Sequence, residues 1–135
     1  SLTLDMAQRV VRKINPEFKE EYKPEQAVLD DIKGVLGGRL DEWLRKNSKK
    51  EEDIVLFRAK DDRPQTEPEY KGRIAIFEVM NVSEKISKLI LERKPSSEME
   101  KLAQDDGMLL MKQDGYLKAL DGITTIEEVL RVAQI

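Results

Sequence analysis

The chain has 135 residues, with 24 Lys and Arg against 27 Asp and Glu, no Cys, no His and a formal net charge of -3. Lacking thiol and imidazole, it excludes disulfides, the usual zinc knuckles, histidine-held haem and imidazole-activated nucleophiles, which leaves carboxylate, hydroxyl, Lys, Arg and Tyr chemistry. Interleaved Lys and Glu give no basic field for nucleic acid, and no apolar run approaches the roughly 20 residues that span a bilayer.

From the N-terminus, Met6, Val10, Val11 and Ile14 at helical spacing predict a helix over 4–14, closed by Pro16. A short strand is expected from Phe18 to Tyr22. Pro24 then sits at a first-turn position, and Val28, Leu29, Ile32, Val35 and Leu36 predict a helix ended by Gly37 and Gly38. Leu40, Trp43 and Leu44 mark a second helix, followed by a solvated loop from Asn47 to Asp53. Ile54 to Phe57 is a strand candidate, and residues 60–69, with two prolines and no aliphatic side chain, read as a loop. A second strand runs from Arg73 to Val79, with both faces partly buried.

Beyond Asn81 the pattern is helical. Asn81 and Glu84 fit a capping box, Pro95 ends that helix, and Ser96 or Ser97 starts another that reaches Gly107. A third helix carries Leu109, Leu110, Tyr116, Leu117 and Leu120 and stops at Gly122. A fourth begins at Thr124 or Thr125, with Glu127 or Glu128 three residues on and a face of Ile126, Val129, Leu130 and Ala133. The expected class is α+β, predominantly helical, with several short helices and a small antiparallel sheet or hairpin in the middle.

The residues carry little catalytic signal. Gly34, Gly37 and Gly38 lack the Lys-Ser or Lys-Thr of a phosphate loop. The Asp-Gly pairs at Asp106, Asp114 and Asp121 lack the alternating acids of a calcium loop and read as helix ends. Glu51, Glu52 and Asp53, like Asp61 and Asp62, read as solvated loops. A small acid-base enzyme has only the abundance of carboxylates in its favour. The most distinctive segment is Tyr70-Lys71-Gly72-Arg73, where Gly72 allows a bend or bulge and the cations either stay in water or meet a partner or an anion.

Four segments occur in an order that carries a resemblance: Ala7-Gln8-Arg9-Val10-Val11-Arg12-Lys13-Ile14, Tyr70 to Val79, Asp106-Gly107-Met108 through Asp114-Gly115, and Gly122 to Val132. Together they resemble the C-terminal end of the type II secretion and type IV pilus assembly ATPases, the GspE and PilB group. The likeness covers about half the chain and is weak between residues 24 and 60. In that family two Cys-x-x-Cys pairs hold zinc. The corresponding positions here are Asn15, Phe18, Asp62 and Gln65, so the resemblance implies a zinc site that has been lost. Phe18, Tyr22, Ile54, Phe57 and Ile76 are the expected apolar replacement, with Phe18 deeply buried.

The resemblance further implies three parts: a helix over 1–14 continuing from an ATPase core outside the chain, a former zinc-type subdomain over 15–80, and a helical extension over 81–135. The chain would then be a non-catalytic subdomain of a hexameric ATPase, with no cofactor of its own, while ATP and Mg serve the intact protein. Expected partners are the upstream core, neighbouring subunits, an inner-membrane platform and cytoplasmic assembly proteins, with no nucleic acid and no direct membrane insertion. The implied location is cytoplasmic, peripheral at the inner membrane. Arg9, Arg12, Tyr70, Lys71, Gly72 and Arg73 are the candidates for contact with partner or core, Arg9 with a helper role towards nucleotide or the adjacent subunit. The alternative is a free-standing protein-interaction module derived from such an ATPase.

Overall fold

A computed structural model of the protein describes residues 3–82 and 109–133. Its longest described elements are two strands, β1 (Thr3–Ile14) and β4 (Tyr70–Val82), paired antiparallel. Two short strands, β2 (Lys19–Tyr22) and β3 (Leu56–Ala59), form a second antiparallel pair. Between them lie helices α1 (Gln26–Leu36) and α2 (Gly38–Lys46). Helices α3 (Met111–Leu120) and α4 (Ile126–Val132) follow β4 in the chain. The class is therefore mixed α+β, with more strand than the helical spacing of the sequence indicated.

The expected helix over 4–14 is a strand. Val11 and Ile14 lie three residues apart, a spacing that reads as one helix face. In a strand that separation places them on opposite faces, and here both are buried. The end of β1 is covered on both sides, and its adjacent β-branched Val10 and Val11 favour extended backbone. Its register with β4 shifts between Arg12 and Ile14, where Lys71 and Gly72 both lie opposite Lys13. Gly72 has φ of +86°, a left-handed conformation that a side chain disfavours, so the bend expected at this glycine is a bulge in the ribbon.

Strand β4 extends the expected 73–79 segment at both ends. Asn81 is not a helix cap: it pairs with Leu4, and Val82 with Thr3. The helices expected from 83 to 108, with Glu84, Pro95, Ser96, Ser97 and Gly107, lie outside the described residues.

Elsewhere the elements follow the predicted order. Gly37 ends α1 and Thr125 caps α4, its hydroxyl accepting from the Glu128 amide at 3.2 Å. The loop from Asn47 holds a short exposed turn at Glu51–Asp53, and the strand expected at Ile54 starts at Leu56 opposite Tyr22. One apolar cluster joins the parts: Val11 and Ile76 from the ribbon, Ile32 and Leu36 from α1, Leu40 and Leu44 from α2, Ile54 and Leu56 beside β3, and Tyr116, Leu120 and Val129 from α3 and α4. Burying each such side chain contributes roughly 2 kcal/mol. Phe18, expected deep inside, is only half-buried.

Candidate functional site

Of the residues singled out in the sequence, Arg12 and Tyr70 meet at the bulged end of the ribbon. The buried Glu128 of α4 is their centre. Its carboxylate accepts from the Arg12 amide at 2.9 Å, from Arg12 Nε at 3.0 Å and Nη2 at 2.5 Å, and from Arg131 Nε at 3.1 Å and Nη2 at 3.0 Å. The Arg12 guanidinium lies 4.5 Å from the centre of the Tyr70 ring, and the Tyr70 hydroxyl shares a 2.9 Å hydrogen bond with Thr125. Thr124 Oγ1 donates to the Arg12 carbonyl at 2.7 Å, and the Ile14 amide donates to the Ile123 carbonyl at 3.0 Å. Ribbon and α4 are thus joined through both backbone and side chains.

Burial alone would raise the Glu128 carboxyl above its usual range. The hydrogen bonds from Arg12 and Arg131 outweigh that effect and hold it down at about 2. The same bonds push the Arg12 and Arg131 guanidinium values upward. Burial raises the Tyr70 phenol, opposed by its hydrogen bond with Thr125. An anionic centre held by cations and with little water access has the character of a joint, with no acid or base poised near neutral pH.

Other named candidates divide between surface and structure. Arg9 is exposed on β1 opposite Ile76, and Arg73 is exposed opposite Arg12. Lys71 lies 4.0 Å from Glu17. Glu128 itself was legible only as a helix-cap residue, because nothing local to it in sequence points to Arg12, 116 residues away.

Of the four positions that the resemblance sets against zinc ligands, Asn15 is fully buried. Its Nδ2 donates to the Pro68 carbonyl at 2.9 Å and to Glu67 Oε2 at 3.3 Å, its Oδ1 accepts from the Glu17 amide at 3.2 Å, and its own amide donates to the Glu69 carbonyl at 3.0 Å. Asp62 and Gln65 are exposed in the 60–69 loop. Phe18 has no ligand atom in its side chain. No group of three or more His, Cys, Asp or Glu among the described residues is placed to hold a metal ion. No helix among them is long and apolar enough to cross a membrane.

Fold and site define a small α+β module whose central charges join its own elements. The chain belongs to the family described as Type II/IV secretion system protein, whose model matches residues 1–131. It is 33% identical over 128 residues to a type IV pilus assembly ATPase PilB of Thermus thermophilus, covering 93% of this chain and 13% of that protein. It is 32% identical over 131 residues to a type II secretion system protein E of Xanthomonas campestris, covering 96% of this chain and 21% of the relative. A type II secretion system ATPase E of Vibrio cholerae is likewise 32% identical over 131 residues, covering 96% and 23%. The chain therefore spans less than a quarter of these curated relatives.

Proposed function

We propose that this chain is a non-catalytic subdomain of a larger ATPase that powers type II secretion or type IV pilus assembly, packing on the ATPase core and passing its motion to an inner-membrane platform. ATP and Mg belong to the core of the intact hexameric protein. The observation that carries the reading is the joint at Glu128: Arg12 of β1, Tyr70 of β4 and Arg131 of α4 converge there. A displacement applied to the ribbon moves α4 with it, because the joint combines backbone and side-chain bonds around a buried charge.

The lost zinc site belongs to the same reading. The residues at the four positions do not fit zinc, and Asn15 supplies in its place a set of hydrogen bonds tying the end of β1 to residues 67–69. The expected metal content of the purified protein is zero, and zinc at one per chain, read by plasma emission, contradicts the replacement.

Assaying the native gene product for ATP hydrolysis, intact and with Glu128 replaced by Ala, tests the functional reading. The expected result is nucleotide binding unchanged and turnover coupled to secretion or pilus extension reduced at least tenfold in Glu128→Ala. A native gene product without ATP hydrolysis overturns it.

A further inference from the structure

Arg45, Lys46, Lys49 and Lys50 put four cations and no carboxylate into six residues at the end of α2. All four are exposed, and none joins an ion pair among the described residues. Elsewhere exposed cations meet carboxylates: Lys33 stands 2.9 Å from Glu51, Arg58 3.6 Å from Glu20 and Lys71 4.0 Å from Glu17. The carbonyls at the end of a helix attract cations in its last turn, which accounts for Arg45 and Lys46 but not for Lys49 and Lys50, which lie past it. The turn that displays them is fixed. The Lys49 amide donates to the Leu44 carbonyl at 2.9 Å, Asn47 Nδ2 donates to the Trp43 carbonyl at 2.8 Å, and the Lys50 amide donates to Asp53 Oδ2 at 2.9 Å. Ser48 takes φ of +54°, a left-handed conformation that a side chain disfavours and that these bonds hold.

We infer that this turn docks a short acidic segment of a protein partner, whose Asp or Glu side chains meet Arg45, Lys46, Lys49 and Lys50. The inference goes beyond the motor reading and does not rest on it, since the turn is separate from the Glu128 joint. Clustered, unpaired cations repel one another, and a partner bearing carboxylates removes that repulsion. Because the turn is already ordered, docking costs little backbone entropy. Arg45 supplies the planar fork that takes a carboxylate through two parallel hydrogen bonds. Two features favour a peptide over an anionic membrane. Glu51, Glu52 and Asp53 follow directly and are exposed, so a flat anionic surface that reaches the four cations also meets three carboxylates, whereas a narrow peptide avoids them. Trp43, the only tryptophan, is not free to anchor in a lipid interface: its Nε1 donates to Asp121 Oδ1 at 2.9 Å, and the Lys49 ammonium lies 5.6 Å from the centre of its ring.

Carbodiimide treatment of source cells containing the native gene product tests this, because the reagent joins a lysine amine to a carboxylate with no spacer. Mapped by mass spectrometry, Lys46, Lys49 and Lys50 are expected to form amides with Asp or Glu in one acidic segment of another protein, at least tenfold more often than exposed Lys60 does. Arg45→Glu combined with Lys46→Glu should cut the links at Lys49 and Lys50 at least tenfold while a cooperative melt shows the variant folded. The charge-keeping pair Arg45→Lys and Lys46→Arg should retain them. A synthetic peptide of the linked segment should bind the native gene product, and the same peptide with amides in place of its carboxylates should bind at least tenfold more weakly. Equal binding of the two peptides overturns the inference, as do links as frequent at Lys60 and the absence of any intermolecular link. Links to a second copy alone, read by mixing isotopically labelled and unlabelled protein, overturn it in favour of self-association. Flotation with vesicles containing phosphatidylglycerol, abolished by Arg45→Glu with Lys46→Glu, assigns the turn to a membrane and overturns it too.

Discussion

Glu128 is a carboxylate that burial alone would neutralise, kept ionised by two arginines whose guanidinium groups remain half in water. Its folded value of about 2 lies below the ordinary 4.5, so its contribution to stability is fully present above pH 4.5 and is lost as pH falls towards 2. With the arginines half-exposed, that contribution is about 2 kcal/mol. Thermal melts from pH 7 to pH 2 should show the native protein losing this increment while Glu128→Gln, already without it, does not. Parallel pH profiles for the two proteins would contradict the assignment. Asn15 gives a second residue-scale prediction: Asn15→Ala frees residues 67–69 and should speed tryptic cleavage after Lys60 roughly tenfold, the equivalent of one lost buried hydrogen bond. Unchanged cleavage would mean that Asn15 does not hold the loop. Arg12 and Tyr70 were visible in the sequence as contact candidates. Their partner was hidden, since an ion pair spanning 116 residues leaves no trace in local spacing.

At the scale of elements, α3 and α4 cross where Gly115 meets Val129. A Cβ at Gly115 would stand 2.4 Å from Val129 Cγ1, so the helices approach only because that side chain is absent. Gly115→Ala should cost about 2 kcal/mol by forcing α4 outward. In a Val129→Ala background the same change should cost at least 1 kcal/mol less, a coupling that urea titrations of the four proteins would measure. Equal costs in both backgrounds would place the strain elsewhere. Helices α1, α2, α3 and α4 were legible because their apolar residues recur every three or four positions and glycine or threonine marks their ends. Strand β1 was misread because a strand buried on both faces near its end places Val11 and Ile14 at a helical interval. Asn81 was misread because a capping residue and a strand residue look alike until the partner strand is known, and Leu4 is that partner. Of the apolar cluster expected around Phe18, Ile54 and Ile76 are buried in the core and Tyr22 packs against it, whereas Phe18 itself is half-buried.

For the whole molecule, the family was legible from short segments at the two ends and around Arg73, and the match over residues 1–131 extends it through the middle, where composition alone is bland. Function lies a level beyond. The curated relatives include pilus assembly and secretion ATPases of which this chain spans less than a quarter, so activity is proposed for a longer protein of that kind. That makes the size of the native gene product the central quantity. An immunoblot of the source cell with antibody against this chain reads it directly. The account predicts a band more than four times heavier than the 15.6 kDa of these 135 residues. A band at 15.6 kDa alone would contradict it and leave a free-standing interaction module.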